Sequence, residues 1–181
     1  MAPLTIELPT QRTQTVFNLR RWTELVGDRD LAKIEGRIET DRYGRIILSL
    51  PFAQSHGSYQ AMVGCLIGDL MPNGQVIIAC PISTADGVKA ADVAWASPES
   101  MRNLRNRACF PQAPEICVEV LSPSNIQAEI EEKTALYFDA GAKEVWVCSR
   151  SGSVRFYEIG KNRAMKSSRL CPEFPKQIKL P

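Results

Sequence analysis

Two short, strongly apolar segments, Glu115–Leu121 and Glu144–Ser149, stand either side of a stretch with helical spacing. That order constrains the fold more than any other feature of the chain, because it reads as strand, helix, strand within one buried sheet. The stretch between them opens with Ser124 and Gln127, spaced as a capping box, and Gly141 is well suited to end it. Upstream, Arg37–Thr40, Arg45–Leu50, Gln75–Ile82 and Ala91–Ala96 are further strand candidates, with Gly36, Gly44 and Pro51 as breakers. Downstream, Val154–Ile159 follows Glu144–Ser149 across Ser151-Gly152-Ser153, a hairpin signal. Two more helices are expected. One covers Leu19–Val26 on the anchors Trp22, Leu25 and Val26. The other runs from Ser55 as N-cap to about Leu70, with Met62, Leu66, Ile67 and Leu70 on one face and Pro72-Asn73-Gly74 as its stop. Strands mixed with a few helices give a three-layer α/β (α+β) domain around a mixed sheet.

The 181 residues are 44% hydrophobic, enough for one globular core, and no repeat or linker divides them. A single domain over 1–181 is expected, with its core at about 17–160 and a basic extension over 161–181. In that extension Lys161, Arg163, Lys166, Arg169, Lys176 and Lys179 face one acid, Glu173. No apolar run approaches the roughly 18 residues that would span a bilayer. Met1–Thr10 lacks a basic segment followed by an apolar one, so no secretory signature is seen and a cytoplasmic location is expected. Six cysteines, none in a CxxC pair and most within apolar segments, suit free buried thiols rather than disulfides or zinc. A net charge of +2 does not announce a nucleic-acid binder. Arg102, Arg105 and Arg107 cluster in one expected loop; they are open to two readings, phosphate contacts or solvated surface.

Two carboxylates sit where carboxylates are costly. In Glu115–Leu121, alternation puts Glu119 on one face with Cys117 and Leu121. In Ala91–Ala96, Asp92 shares a face with the small side chains of Ala94 and Ala96. A charge in such a strand must be paired, solvated in a cleft or bound to a metal. Two acids from neighbouring strands suit a hard cation such as Mg²⁺. A lysine is equally out of place: at about 100° per residue, Lys133 falls about 20° from Ile126, inside the stripe of Ile130, Tyr137 and Ala140. It either snorkels to water or serves a buried purpose, and Glu129 is spaced for an i,i+4 pair with it.

The segment Pro114-Glu115-Ile116-Cys117-Val118-Glu119-Val120-Leu121-Ser122-Pro123-Ser124 resembles the signature of the Uma-type restriction endonuclease family. So do its continuation through Glu129, Lys133, Tyr137, Gly141 and Glu144-Val145-Trp146, and Gly87–Trp95 upstream. The resemblance runs from about Phe17 to Ile159 and implies a restriction-endonuclease-like, PD-(D/E)xK, core. It implies Asp92 as the motif aspartate, Glu119 as the second acid, and Glu39, with Glu35 as competitor, as a further metal ligand. Ala91 replaces the motif proline. Leu121 replaces the motif lysine, and the resemblance suggests that Lys133 takes over its role. His56 matches a histidine of the family; alone, it suits a helix-end or core hydrogen-bonding role better than a general base. Tyr137 and Trp146 are expected in the core.

These readings lead to Mg²⁺- or Mn²⁺-dependent hydrolysis of DNA by Asp92, Glu119 and Lys133, with Arg102, Arg105 and Arg107 on the backbone and a homodimer as a possible assembly. The alternatives are a catalytically inactive nuclease fold that binds nucleic acid or protein, and a hydrolase of another phosphoester.

Overall fold

The computed structural model describes residues 11–49, 54–123, 126–161 and 163–180. Its main sheet holds β3 (Gln75–Thr84), β4 (Gly87–Ala96), β5 (Ile116–Val120), β6 (Glu144–Cys148) and β7 (Val154–Glu158), in that spatial order. The β5–β6 pair is parallel and the other three are antiparallel, so the sheet is mixed. The parallel step needs a crossover, which α4 (Gln127–Asp139) supplies. A separate hairpin, β1 (Arg37–Thr40) with β2 (Ile46–Ser49), lies against β4. Helices α1 (Gln11–Val26), α2 (Gln54–Leu70) and α3 (Pro98–Leu104) complete the α/β domain.

Alternation along the strands divides the core in two. Val93, Ile116, Val118, Val120 and Trp146 pack with Tyr59, Val63 and Ile67 of α2. Ala94, Cys117 and Val145 pack on the other face with Tyr137 and Ala140 from the α4 end. The C-terminal stretch keeps its cations in solvent but buries Cys171, Phe174 and Ile178 in the first cluster, where Trp146 meets Phe174 and Phe156. Glu144 fastens this stretch: its carboxylate accepts from Trp146 Nε1 and Ser168 Oγ at 2.7 Å, and from the Arg169 and Leu170 N–H groups at 2.7 and 3.0 Å.

Several local expectations shift. Helix α1 starts at Gln11 rather than Leu19, because the inner face of its first half is polar and satisfied. There Asn18 Nδ2 reaches Ser83 Oγ, Thr84 O and Gly87 O, and Gln14 Nε2 donates to Asn18 Oδ1. Helix α2 begins at Gln54, so Ser55 lies in its first turn rather than at its cap. Helix α4 has Ile126 at its N-cap position, exposed rather than part of the buried stripe. Leu50, Pro51 and Ser124 lie outside the described residues. Helix α3, expected as loop, is capped by Ser97 and carries Arg102.

The feature that builds the site is a divergence. Strands β4 and β5 pair only at Val93–Val118, Ala94–Cys117 and Trp95–Ile116, so the part of β4 that precedes Val93, residues 87–92, runs without β5. The orphaned edge of β4 is satisfied by side chains of β1. Thr40 Oγ1 accepts from Val88 N–H and Glu39 Oε1 from Ala90 N–H, each at 2.9 Å, while Arg37 Nη1 donates to Ala90 O at 3.3 Å. This close crossing depends on Gly87, where φ is 85° and a Cβ would stand 2.4 Å from the carbonyl oxygens of Thr40 and Asp41.

Candidate active site

Asp92 and Glu119 each lie one residue beyond the Val93–Val118 pair, so they face each other across the opening of β4 and β5 on the same side of the sheet. Their exposure is 2% each. Asp92 Oδ2 accepts the Val120 N–H at 2.7 Å, replacing the backbone bond that the diverging strands cannot make, and stands 3.3 Å from His56 Nε2. Opposite Asp92, β3 kinks at Ala79, where φ is 49°, and Gln60 Nε2 takes the Asp92 carbonyl at 2.7 Å. Glu119 Oε1 accepts from Tyr137 Oη at 2.6 Å.

Lys133 points inward. Its Nζ lies 2.8 Å from Glu39 Oε1 and 3.4 Å from Glu119 Oε2, with the residue 4% exposed, so it does not snorkel. Leu121 donates its N–H to Cys148 O and continues the sheet; the ammonium at this site comes from α4 instead. Glu39 is buried beside Lys133, whereas Glu35 is exposed ahead of β1. His56, on the first turn of α2, belongs to the cluster through Asp92, and Tyr137 through Glu119.

Sequence reasoning missed Arg37. Its Nη1 lies 2.7 Å from Asp92 Oδ1 and 4.0 Å from Glu119 Oε2, and its Nε lies 3.7 Å from Glu39 Oε1. At the start of a short strand it carries no periodic signal of burial. Three carboxylates therefore share two cations in a site with little water. Burial pushes the Glu119 carboxyl up to about 7, with Lys133 opposing the rise and Asp92 adding to it. Burial pulls on Lys133 and Arg37 in the other direction, but the surrounding acids outweigh it, and both are raised and stay charged. Burial, then Glu119 and Glu39, raises the Tyr137 phenol, so it remains a donor.

Among the described residues no three His, Cys, Asp or Glu side chains stand close enough to share a metal ion. The donor set nevertheless suits a hard divalent cation. It consists of carboxylate oxygens on rigid strands, and those of Asp92, Glu39 and Glu119 all turn toward one positive group, the Arg37 guanidinium.

The three arginines are not brought together. Arg102 and Arg105 border one groove with Pro72 and Gln75, and Arg107 borders another with Arg12 and Leu19. β4 ends four residues beyond Asp92, about 13 Å along the strand, and α3 follows from Pro98, so Arg102 lies toward the opposite end of the β4–β5 pair from the acids.

A mixed sheet whose diverging strands carry an opposed acid pair, with a lysine of the next helix beside it, defines an α/β domain built around a buried charged centre. Residues 28–179 match the model of the Uma2 family, described as "Putative restriction endonuclease", and the chain belongs to that family. It is also similar in fold to a crystal structure described as a "putative nuclease belonging to DUF820" from Anabaena variabilis. The TM-score is 0.61 and the identity 18%, with 75% of this chain and 80% of that one covered. No functionally curated protein matches the chain. No helix among the described residues is long and apolar enough to cross a membrane.

Proposed function

We propose that this chain is a Mg²⁺- or Mn²⁺-dependent endonuclease that hydrolyses DNA phosphodiester bonds at Asp92, Glu119 and Lys133. The observation that carries the reading is the inward Lys133 ammonium, 3.4 Å from Glu119 and 2.8 Å from Glu39, beside an opposed Asp92. An ammonium that replaces the lysine missing at Leu121 has no need of that burial for stability alone. Asp92 and Glu119, with Glu39 beside them, are the residues that would hold the ion, which when bound supplies Lewis acidity toward a phosphate and a lowered pKa for water.

The chain supplies the rest. Lys133 stays protonated, so it acts as a donor that orients the attacking water or offsets charge developing on the phosphate, and not as a base. Val120 N–H and His56 fix Asp92, and Tyr137 Oη fixes Glu119, so the reacting groups are held before substrate arrives. Arg102 and Arg105, in one groove, and Arg107, in another, would meet backbone phosphates at a distance from the cut. Cutting both strands of a duplex would call for a twofold-related homodimer. Six free cysteines suit a reducing, cytoplasmic setting.

The test is nicking of supercoiled plasmid by the purified chain in Mg²⁺ or Mn²⁺. Asp92→Asn and Lys133→Met are each expected to lose about 100-fold or more of the rate; undiminished nicking by both variants sinks the assignment. A second reading, a nuclease fold that binds without cutting, is favoured by Arg37, which already neutralises the acids. Absence of any Asp92-dependent Mn²⁺ binding would select it.

A further inference from the structure

The contacts of Asp92 and Glu119 divide their oxygens into two kinds. Asp92 Oδ2 is committed to the Val120 N–H and His56, and Glu119 Oε1 to Tyr137 Oη. The remaining oxygens are Asp92 Oδ1, 2.7 Å from Arg37 Nη1, and Glu119 Oε2, 3.4 Å from Lys133 Nζ and 4.0 Å from the same Arg37 Nη1. These are the oxygens best placed to ligate an ion, and a guanidinium nitrogen occupies the position between them.

Charge points the same way. With Glu119 ionised, as a metal ligand must be, three carboxylates and the Lys133 ammonium leave two negative charges, which match a divalent cation. With Arg37 also in place a dication would face a like charge a few ångströms away in a poorly solvated site, which is strongly repulsive. Arginine is suited to such a place because its fork engages several carboxylates at once, and its long stem lets it leave. Arg37 is the first residue of β1, following Gly36 with φ of 136°.

We propose that Arg37 is the chain's own counter-ion to Asp92, Glu39 and Glu119, and that a divalent metal loads only by displacing its guanidinium. Arg37 is thus a positioning residue that sets metal affinity and keeps the buried acids neutralised between loadings. The inference rests on the metal-dependent reading above.

Two measurements on the full chain test it. The first is calorimetric titration of Mn²⁺ into the wild type, Arg37→Gln and the double variant Arg37→Gln/Asp92→Asn. The expected result is binding about tenfold or more tighter in Arg37→Gln, including the case in which only that variant binds, and lost in the double variant. The second titrates Mg²⁺ into the ¹⁵N-labelled wild type and follows the Arg37 Nε–Hε resonance, assigned by its loss in Arg37→Lys. It is expected to shift with the same midpoint as metal binding. Affinity within about twofold of the wild type, or weaker, overturns the proposal and leaves the metal site standing. So does a resonance that stays unmoved while the wild type binds, since electrostatics alone would then explain any gain. No Asp92-dependent Mn²⁺ binding in any form removes the metal reading and this proposal together. If Arg37→Gln does not fold, the wild-type Mg²⁺ titration decides alone.

Discussion

Burial sets opposing demands on Glu119 and Lys133. It drives a carboxyl toward its neutral form and an ammonium toward the amine, and only their mutual attraction, shared with Glu39 and Arg37, keeps charge in the site. Lys133→Met removes one cation from between two acids and is expected to cost about 3–5 kcal/mol in urea unfolding, the usual penalty for breaking a buried pair. Glu119→Gln removes the acid already pushed toward protonation and is expected to cost less, about 1–2 kcal/mol, while abolishing cleavage. The same shift fixes a pH dependence. Glu119 ordinarily titrates at 4.5 and here near 7, so the native chain holds its proton more tightly than the unfolded one. The stability this contributes is fully present below 4.5 and is lost as pH rises through about 7. Metal-free chains are therefore expected to melt at lower temperature at pH 8 than at pH 5, by a margin that shrinks in Glu119→Gln. Metal affinity is expected to rise over the same window, because the ligand must be deprotonated. Asp92, Glu119 and Lys133 were legible because a charge on an apolar face is an anomaly of local pattern. Arg37 was not, because at the head of a short strand it looks like any surface arginine.

At the scale of elements, the hairpin β1–β2 decides whether the acids meet. Its side chains replace a missing strand along β4, and Gly87 permits the approach. Gly87→Ala introduces a Cβ 2.4 Å from the Thr40 and Asp41 carbonyls at a positive φ. It is expected to cost about 1–2 kcal/mol from backbone strain alone, and more from the clash. Because the displaced strand carries both Arg37 and Glu39, cleavage is expected to fall further than a stability-matched substitution elsewhere, such as one in α1, would lower it. Measuring both variants at equal melting temperature checks this. The strands and helices of the sheet were readable because apolar periodicity marks them. The first half of α1 was not, since Gln14 and Asn18 make its buried face polar. The seven residues of α3 were not either, since none is buried.

For the molecule as a whole, the C-terminal stretch closes the core over Trp146. Glu144 is the latch, three of its four acceptor contacts joining β6 to Ser168, Arg169 and Leu170. Glu144→Gln places an amide donor among donors and is expected to cost about 3 kcal/mol. Hydrogen exchange reads it directly: the Arg169 and Leu170 amides should lose protection, and unchanged protection would refute the latch. By itself the sequence determined the strands of the sheet and most of the helices, and that Asp92, Glu119 and Lys133 are not ordinary charged residues, because periodicity and the cost of burying charge are local properties. Only the tertiary structure decided that β4 parts from β5 after three residue pairs and that β1 lies along the gap. Strand neighbours and the point at which they diverge depend on packing between distant segments, which no local pattern encodes. The lysine suspected from its helical face is thereby joined at the acids by an arginine the pattern did not reveal.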